Sequence, residues 1–200
     1  MNSFHHWESV GEMALDDIIN TILTGHSLNT IYSDDWITQF FPKKFSSLLD
    51  FGCGIGRNTF YYSIKYPESK VIGYDNDKML KRIDEFYLAK YDPPRPSNVS
   101  FDFHWPSVST QKFDIVVSLL VFQHIFEDDL LKYIFDLKQM TNFLIVSGRK
   151  FNDDNKKNTW EIIESAGLIP HFFYDTDVSC EVPYKLDYTD DSHHLALYAI

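Results

Sequence analysis

The sequence predicts an α/β fold: a mostly parallel sheet with helices on both faces, a terminal antiparallel hairpin and an N-terminal helical cap. Three observations carry that expectation. From Ser46 onward, short apolar runs alternate with segments of helical period, the pattern of strand–helix–strand units. The first run ends in Asp50-Phe51-Gly52-Cys53-Gly54-Ile55-Gly56, an acid followed by three alternating glycines, just before a helical segment. The last two apolar runs have no helix between them.

In the cap, Glu12 to Thr24 has Leu15, Ile18, Ile19, Ile22 and Leu23 on one side and reads as an amphipathic helix ended by Gly25. A second short helix is expected over 34–41, closed by Pro42. In the core, 47–51 is the first strand, and 57–66 is a helix stopped by Pro67. Lys70 to Tyr74 is the second strand, ending at Asp75. Residues 77–90 form a helix, with Asp77 as its cap. Pro93, Pro94 and Pro96 stiffen the loop that follows. Strands are expected over 99–103, 113–119 and 143–147. Helices are expected over 128–140, with acids in the first turn, and 157–166, with Gly167 as C-cap. The tail strands, 168–174 and 195–200, read as an antiparallel pair at the sheet edge. Between them runs an acid-rich segment, 175–194, long enough to suggest a functional loop.

Two hundred residues fit one domain, with 1–45 as cap and 46–200 as cofactor-binding core. No apolar stretch approaches the ~20 residues that cross a bilayer. The first residues lack the layout of a signal peptide, so a cytoplasmic protein without membrane attachment is expected. Two cysteines, Cys53 and Cys180, make neither a disulfide framework nor zinc spacing. The net charge of −11, with basic residues in no run longer than the doublets Lys43-Lys44, Lys81-Arg82, Arg149-Lys150 and Lys156-Lys157, disfavours nucleic acid as a partner.

The glycine loop sits between a strand and a helix N-terminus, where folds of this kind bind nucleotide-like ligands. Its spacing separates cofactor classes. Gly52, Gly54 and Gly56 alternate, and Arg57 occupies the place of the third glycine of the dinucleotide pattern. Asp-Phe-Gly-Cys-Gly-Ile-Gly instead resembles motif I of the class I S-adenosylmethionine-dependent methyltransferases. The resemblance covers roughly 46–200. It implies a Rossmann-like seven-stranded sheet and S-adenosylmethionine as cofactor. A sulfonium and an amino acid suit the acid Asp50 better than a pyrophosphate would.

On that resemblance, Gly52, Cys53, Gly54 and Gly56 form the cofactor loop and Asp50 helps hold the amino-acid end. Asp75 lies 23 residues after Gly52 and accepts the ribose hydroxyls. Asn76 follows it, and Met79 faces the adenine or belongs to the core. Asp102 lies where the family has an acid for the adenine amino group, with Phe103 or His104 as alternative lining. The run Phe113 to Leu120 resembles the fourth-strand motif and puts Leu119 beside the cofactor. Gln123-His124-Ile125 follows, where many small-molecule members carry a histidine. His124 is the candidate base or orienting group, and packing is its structural alternative. Tyr32, Trp36, Phe40 and Phe41 on the cap shape an acceptor pocket or pack in the core.

Two absences narrow the branch. The Asp/Asn-Pro-Pro-aromatic motif of DNA amino-methyltransferases is replaced by Ser118-Leu119-Leu120-Val121. The fourth strand ends without the aspartate of metal-dependent catechol-type enzymes, so no metal is expected. Glu127-Asp128-Asp129 read as helix N-terminal acids, and the pairs His5-His6 and His193-His194 point their rings apart. The expected function is methyl transfer to a small-molecule acceptor. The alternatives are a non-catalytic member that binds adenosylmethionine or a protein partner, and a protein or peptide methyltransferase. A nicotinamide-dependent oxidoreductase is disfavoured by the glycine spacing.

Overall fold

The structure is a computed structural model, and it describes residues 3–22, 35–91, 94–149, 158–169, 172–175 and 193–200. A seven-stranded sheet with order β3-β2-β1-β4-β5-β7-β6 runs through it. Its strands are β1 (Ser47–Phe51), β2 (Lys70–Tyr74), β3 (Val99–Asp102), β4 (Ile115–Leu119), β5 (Phe143–Arg149), β6 (Phe172–Asp175) and β7 (His193–Ala199). β1 to β5 pair in parallel, and β7 is antiparallel to both β5 and β6. The expected terminal hairpin is present, with β7 inserted between β5 and β6.

The two-residue period of the strands separates two apolar layers. Leu49, Phe51, Ile72, Val116, Leu144 and Val146 pack on one face with Leu130, Ile134 and Leu137 of α7 (Glu127–Met140) and Ile162 and Ile163 of α8 (Thr159–Ser165). Leu48, Val71, Ile115, Val117 and Ile145 pack on the other with Tyr62 of α3 (Arg57–Lys65) and with Ile37 and Phe41. The parallel strands are therefore apolar on both sides, as a covered parallel sheet requires.

Several expectations change. The helix expected over 12–24 is α2 (Leu15–Ile22), starting three residues later, and a further helix, α1 (Ser3–Gly11), precedes it where none was expected. Leu15, Ile18 and Ile19 are buried as expected, while Leu23 and Thr24 lie outside the described residues. The cap is not an appendage: Val10, Leu15, Ile18 and Ile19 share a cluster with Ile55, Phe60, Met79, Ile83 and Phe86. The expected helix over 34–41 is a 3-10 turn, Asp35–Phe40. The helix over 77–90 divides into α4 (Asp77–Leu80) and α5 (Ile83–Lys90). The break is where α1 docks: Arg82 donates to the carbonyl oxygens of Gly11, at 3.4 Å, and Glu12, at 3.3 Å. Asn76, not Asp77, caps α4, its Oδ1 accepting from the amides of Lys78 and Met79 at 3.1 and 3.0 Å.

β3 ends one residue early, leaving Phe103 in the loop. A short helix, α6 (Trp105–Ser109), follows where none was expected. Its Pro106 sits in the first turn, the place where proline is tolerated. β4 starts at Ile115, because Phe113 makes only an isolated bridge to Thr141. Gly167 follows α8 with φ 78° and donates its amide to Glu164, the expected C-cap conformation. Most of the acid-rich segment, with Cys180, lies outside the described residues.

Candidate cofactor and acceptor site

The C-terminal ends of β1, β2 and β4 open into a cavity of about 810 Å³. One wall is the glycine loop. Gly52, Gly54 and Gly56 have φ of 77°, 58° and 85°. At Gly52 a Cβ would stand 2.3 Å from Val121 Cγ2, so the glycine lets the loops after β1 and β4 touch. At Gly56 a Cβ would stand 2.9 Å from the Phe101 ring. Gly56 also starts α3 in the left-handed conformation, which costs glycine little.

The loop is tied to β2. The amides of Gly52 and Cys53 donate to the Tyr74 carbonyl at 2.8 and 3.0 Å. Asp75 completes the tie: its Oδ2 accepts from the Gly54 amide at 2.7 Å and its Oδ1 from the Asn76 amide at 2.7 Å. Burial pushes the Asp75 carboxyl up to about 6, against the pull of those two amides. Asp50 is buried and accepts from the Thr59 hydroxyl at 2.6 Å. Cys53 is buried too, and burial, then the charges of Asp75 and Asp50, push its thiol well up. A thiol held protonated is no nucleophile, so Cys53 is a wall residue.

Met79 is 2 % exposed in the core cluster and also forms part of the cavity wall. Asp102 does not line the cavity. Its Oδ1 accepts from the His104 amide at 2.8 Å, holding the turn out of β3. Phe103 and His104 stand in the wall instead. Phe40 and Phe41 also lie away from the cavity, Phe41 packing against Tyr62 and Tyr66. Tyr32 is outside the described residues.

Across from the glycine loop, Leu119, Leu120 and Val121 continue β4 into the wall. Leu120 has φ 61°, a strained value for a leucine, and its amide donates to the Ser147 carbonyl at 2.7 Å. A 3-10 turn, Phe122–His124, then brings His124 to the mouth. Trp7 of α1 meets His124 edge-on, ring centroids 4.9 Å apart. On the α6 side, Phe51, Tyr74, Trp105 and Tyr133 pack ring to ring with centroids 4.9 to 5.4 Å apart. Trp105 Nε1 donates to Asp136 at 2.7 Å, and burial pushes the Tyr74 phenol up.

Sequence reasoning missed Trp7, Leu120, Trp105 and Tyr133. Nothing local marks them, because tertiary contacts bring them to the cavity. The charge of the wall was also invisible. Asp50, Asp75, Asp77 and Asp129 line it against Arg57 as its sole arginine or lysine among the described residues. Such a wall favours a cationic ligand and disfavours a pyrophosphate. No group of three or more His, Cys, Asp or Glu suited to a metal occurs among the described residues.

Residues 48–142 match a family model described as a methyltransferase domain. No curated protein matches the chain. Among solved structures, PKMT2 from Rickettsia typhi in complex with AdoHcy is 23 % identical over 52 % of this chain and 21 % of its own, with a TM-score of 0.46. The chain thus spans about a fifth of that protein. A putative O-methyltransferase from Nostoc punctiforme PCC 73102 is 12 % identical over 96 % of this chain and 59 % of its own, with a TM-score of 0.58. LepI in complex with SAM is 14 % identical over 98 % of this chain and 54 % of its own, with a TM-score of 0.57. The last two likenesses show the shared fold.

Proposed function

We propose that the chain is a class I S-adenosylmethionine-dependent methyltransferase and that it transfers the methyl group of S-adenosylmethionine to a small-molecule acceptor. The observation that carries the reading is the Gly54–Asp75 tie at the mouth of the acid-lined cavity. The residues present fit the cofactor. Asp75 offers carboxylate oxygens to a ribose at the end of β2. Met79 and Leu119 offer apolar surface to a flat base. The glycine loop and Asp50 lie where an amino-acid end with a cationic charge is favoured.

When bound, S-adenosylmethionine supplies an electrophilic methyl carbon, the acceptor–carbon bond forming as the carbon–sulfur bond breaks and sulfur keeps the electron pair. The protein's work is then mostly positioning, with the acceptor atom held at ~3–3.5 Å from that carbon. Trp7, His124 and the turn after β4 form the acceptor side of the cavity. His124 orients the acceptor there. The cap and core act as a single domain in this reading, since α1 supplies part of the wall. The volume suits a small acceptor beside the cofactor, within the ~300–1,000 Å³ of ordinary ligand pockets. No described helix is long and apolar enough to cross a membrane.

The test is transfer from methyl-labelled S-adenosylmethionine to a cell extract divided by ultrafiltration. Label in the filtrate supports a small-molecule acceptor. Label retained on protein favours a protein or peptide methyltransferase, and label in neither fraction favours a non-catalytic binding protein.

A further inference from the structure

We propose that Asn76 is a positioning residue, whose side-chain amide fixes the Asp75 carboxylate in the cavity wall and so serves the cofactor through Asp75. The inference rests on the methyl-transfer reading above. Asn76 uses both ends of its amide. Its Oδ1 accepts from the Lys78 and Met79 main-chain amides at 3.1 and 3.0 Å, and its Nδ2 donates to Asp75 Oδ1 at 2.9 Å. The partners settle which end is oxygen: only an oxygen can face two N–H donors, and only the nitrogen can donate to a carboxylate. Reversing the amide would break all three bonds at once.

Asp75 is held from two loops. The Gly54 amide donates to Oδ2 at 2.7 Å, and the Asn76 main-chain amide joins the side-chain amide on Oδ1 at 2.7 Å. An ionised carboxylate has about four lone-pair sites, so Oδ2 keeps room for a hydroxyl donor. Asn76 is itself anchored where the cap docks. The Met79 amide that donates to its Oδ1 belongs to the peptide on which Gly11 of α1 rests: a Cβ on Gly11 would stand 2.8 Å from the Lys78 carbonyl carbon and the Met79 nitrogen. α1, α4, Asn76, Asp75 and the glycine loop are thus joined in one series.

A capping role alone would not need asparagine. Aspartate caps a helix about as well, but it cannot donate to a neighbouring carboxylate. The donor matters because burial opposes the charge on Asp75, pushing its carboxyl up to about 6 while the Gly54 and Asn76 main-chain amides pull it down. The Asn76 side-chain amide is a third donor in favour of the charged form. Cys53 on the loop and Tyr74 on β2 feel the Asp75 charge, and burial holds both protonated. Asp50 acts on the same thiol, and Arg57 lines the same cavity. Asp77 and Lys78 on α4 form surface pairs with Lys81 and Glu12.

NMR of the full isotope-labelled chain, without any cofactor, follows the Asp75 carboxyl and the Asn76 side-chain amide as pH passes through the region of about 6. The carboxyl is assigned as the signal missing from Asp75→Asn, and the amide through its own backbone. In the wild type an Asn76 Nδ2 proton is expected to move downfield as Asp75 ionises, with the carboxyl's own midpoint. Asn76→Gly removes the donor at a capping position that tolerates glycine. Its carboxyl midpoint should rise by about one pH unit, the loss of one hydrogen bond to a charged group. The pH at which S-adenosylhomocysteine affinity rises should move up with it. A wild-type Asn76 amide indifferent to the Asp75 titration, or a carboxyl midpoint unmoved in Asn76→Gly, would overturn the proposal. The wild-type pair of signals decides even if Asn76→Gly does not fold. Failure of the methyl-transfer reading would show separately, as absent binding of S-adenosylhomocysteine at every pH while both titrations stay readable.

Discussion

The Gly54 amide donates to Asp75 Oδ2 at 2.7 Å, so the loop after β1 and the acid after β2 form one hydrogen-bonded unit. The same carboxylate that fixes the loop stands at the cavity mouth. Loop geometry and the cavity wall are therefore linked through a single side chain.

Asp75→Asn should weaken S-adenosylhomocysteine binding about 10–100-fold, because charge-assisted hydrogen bonds are worth roughly 1.5–3 kcal/mol. The substitution keeps the shape and one acceptor oxygen, so the loop is disturbed less than by alanine. Isothermal titration of the two proteins gives the ratio.

The Asp75 carboxyl also predicts a pH dependence. Burial raises it from an ordinary 3.8 to about 6 in the folded protein. Between those values the native state holds a proton that the unfolded chain has lost, so this group's contribution to stability falls as pH rises through the window. Ribose hydroxyls donating to the carboxylate favour its charged form. Binding should therefore release protons near pH 6, and affinity should rise with pH through that region. Titrations in buffers of different ionisation heat will show the release, and Asp75→Asn should abolish it.

Gly52→Ala should destabilise the fold by about 2 kcal/mol or more, from left-handed backbone strain and overpacking together. The added methyl would meet Val121 at 2.3 Å. Val121→Ala in the same chain should restore only part of the loss, since it relieves the clash but not the backbone. Chemical denaturation of the three variants separates the two costs.

Gly11→Ala should cost about 1–3 kcal/mol and weaken ligand binding as well, because overpacking here meets backbone that cannot yield cheaply. The added methyl would stand 2.8 Å from Lys78 and Met79 main-chain atoms. Moving α1 also moves Trp7 from His124. Denaturation midpoints and tryptophan emission on adding S-adenosylhomocysteine check the two effects.

The parts of this molecule legible in its sequence are those fixed by local chemistry. β1 and β2 have the expected limits because each is an apolar run bounded by polar residues, and the αL glycines mark their turn without help from elsewhere. The division between α4 and α5 was not legible, because it follows from Arg82 reaching back to α1. Nor was α1 itself, whose His5-His6-Trp7 run has little helical signature; tertiary contact makes it a wall. The acid at 102 was visible, but its use was not: the turn to His104 claims it. Residue type and spacing pick out the glycine-loop side of the cavity. The rest of the wall is assembled from α1, α6, α7 and the turn after β4, and no sequence period records that assembly.

The central claim is that this cavity holds S-adenosylmethionine through the Gly52–Gly56 loop and Asp75. Isothermal titration of the wild-type chain with S-adenosylhomocysteine, with NAD as the control ligand, tests it most directly. The account predicts saturable one-to-one binding of S-adenosylhomocysteine and none of NAD. No heat with S-adenosylhomocysteine up to millimolar concentration, or binding of NAD in its place, would contradict it.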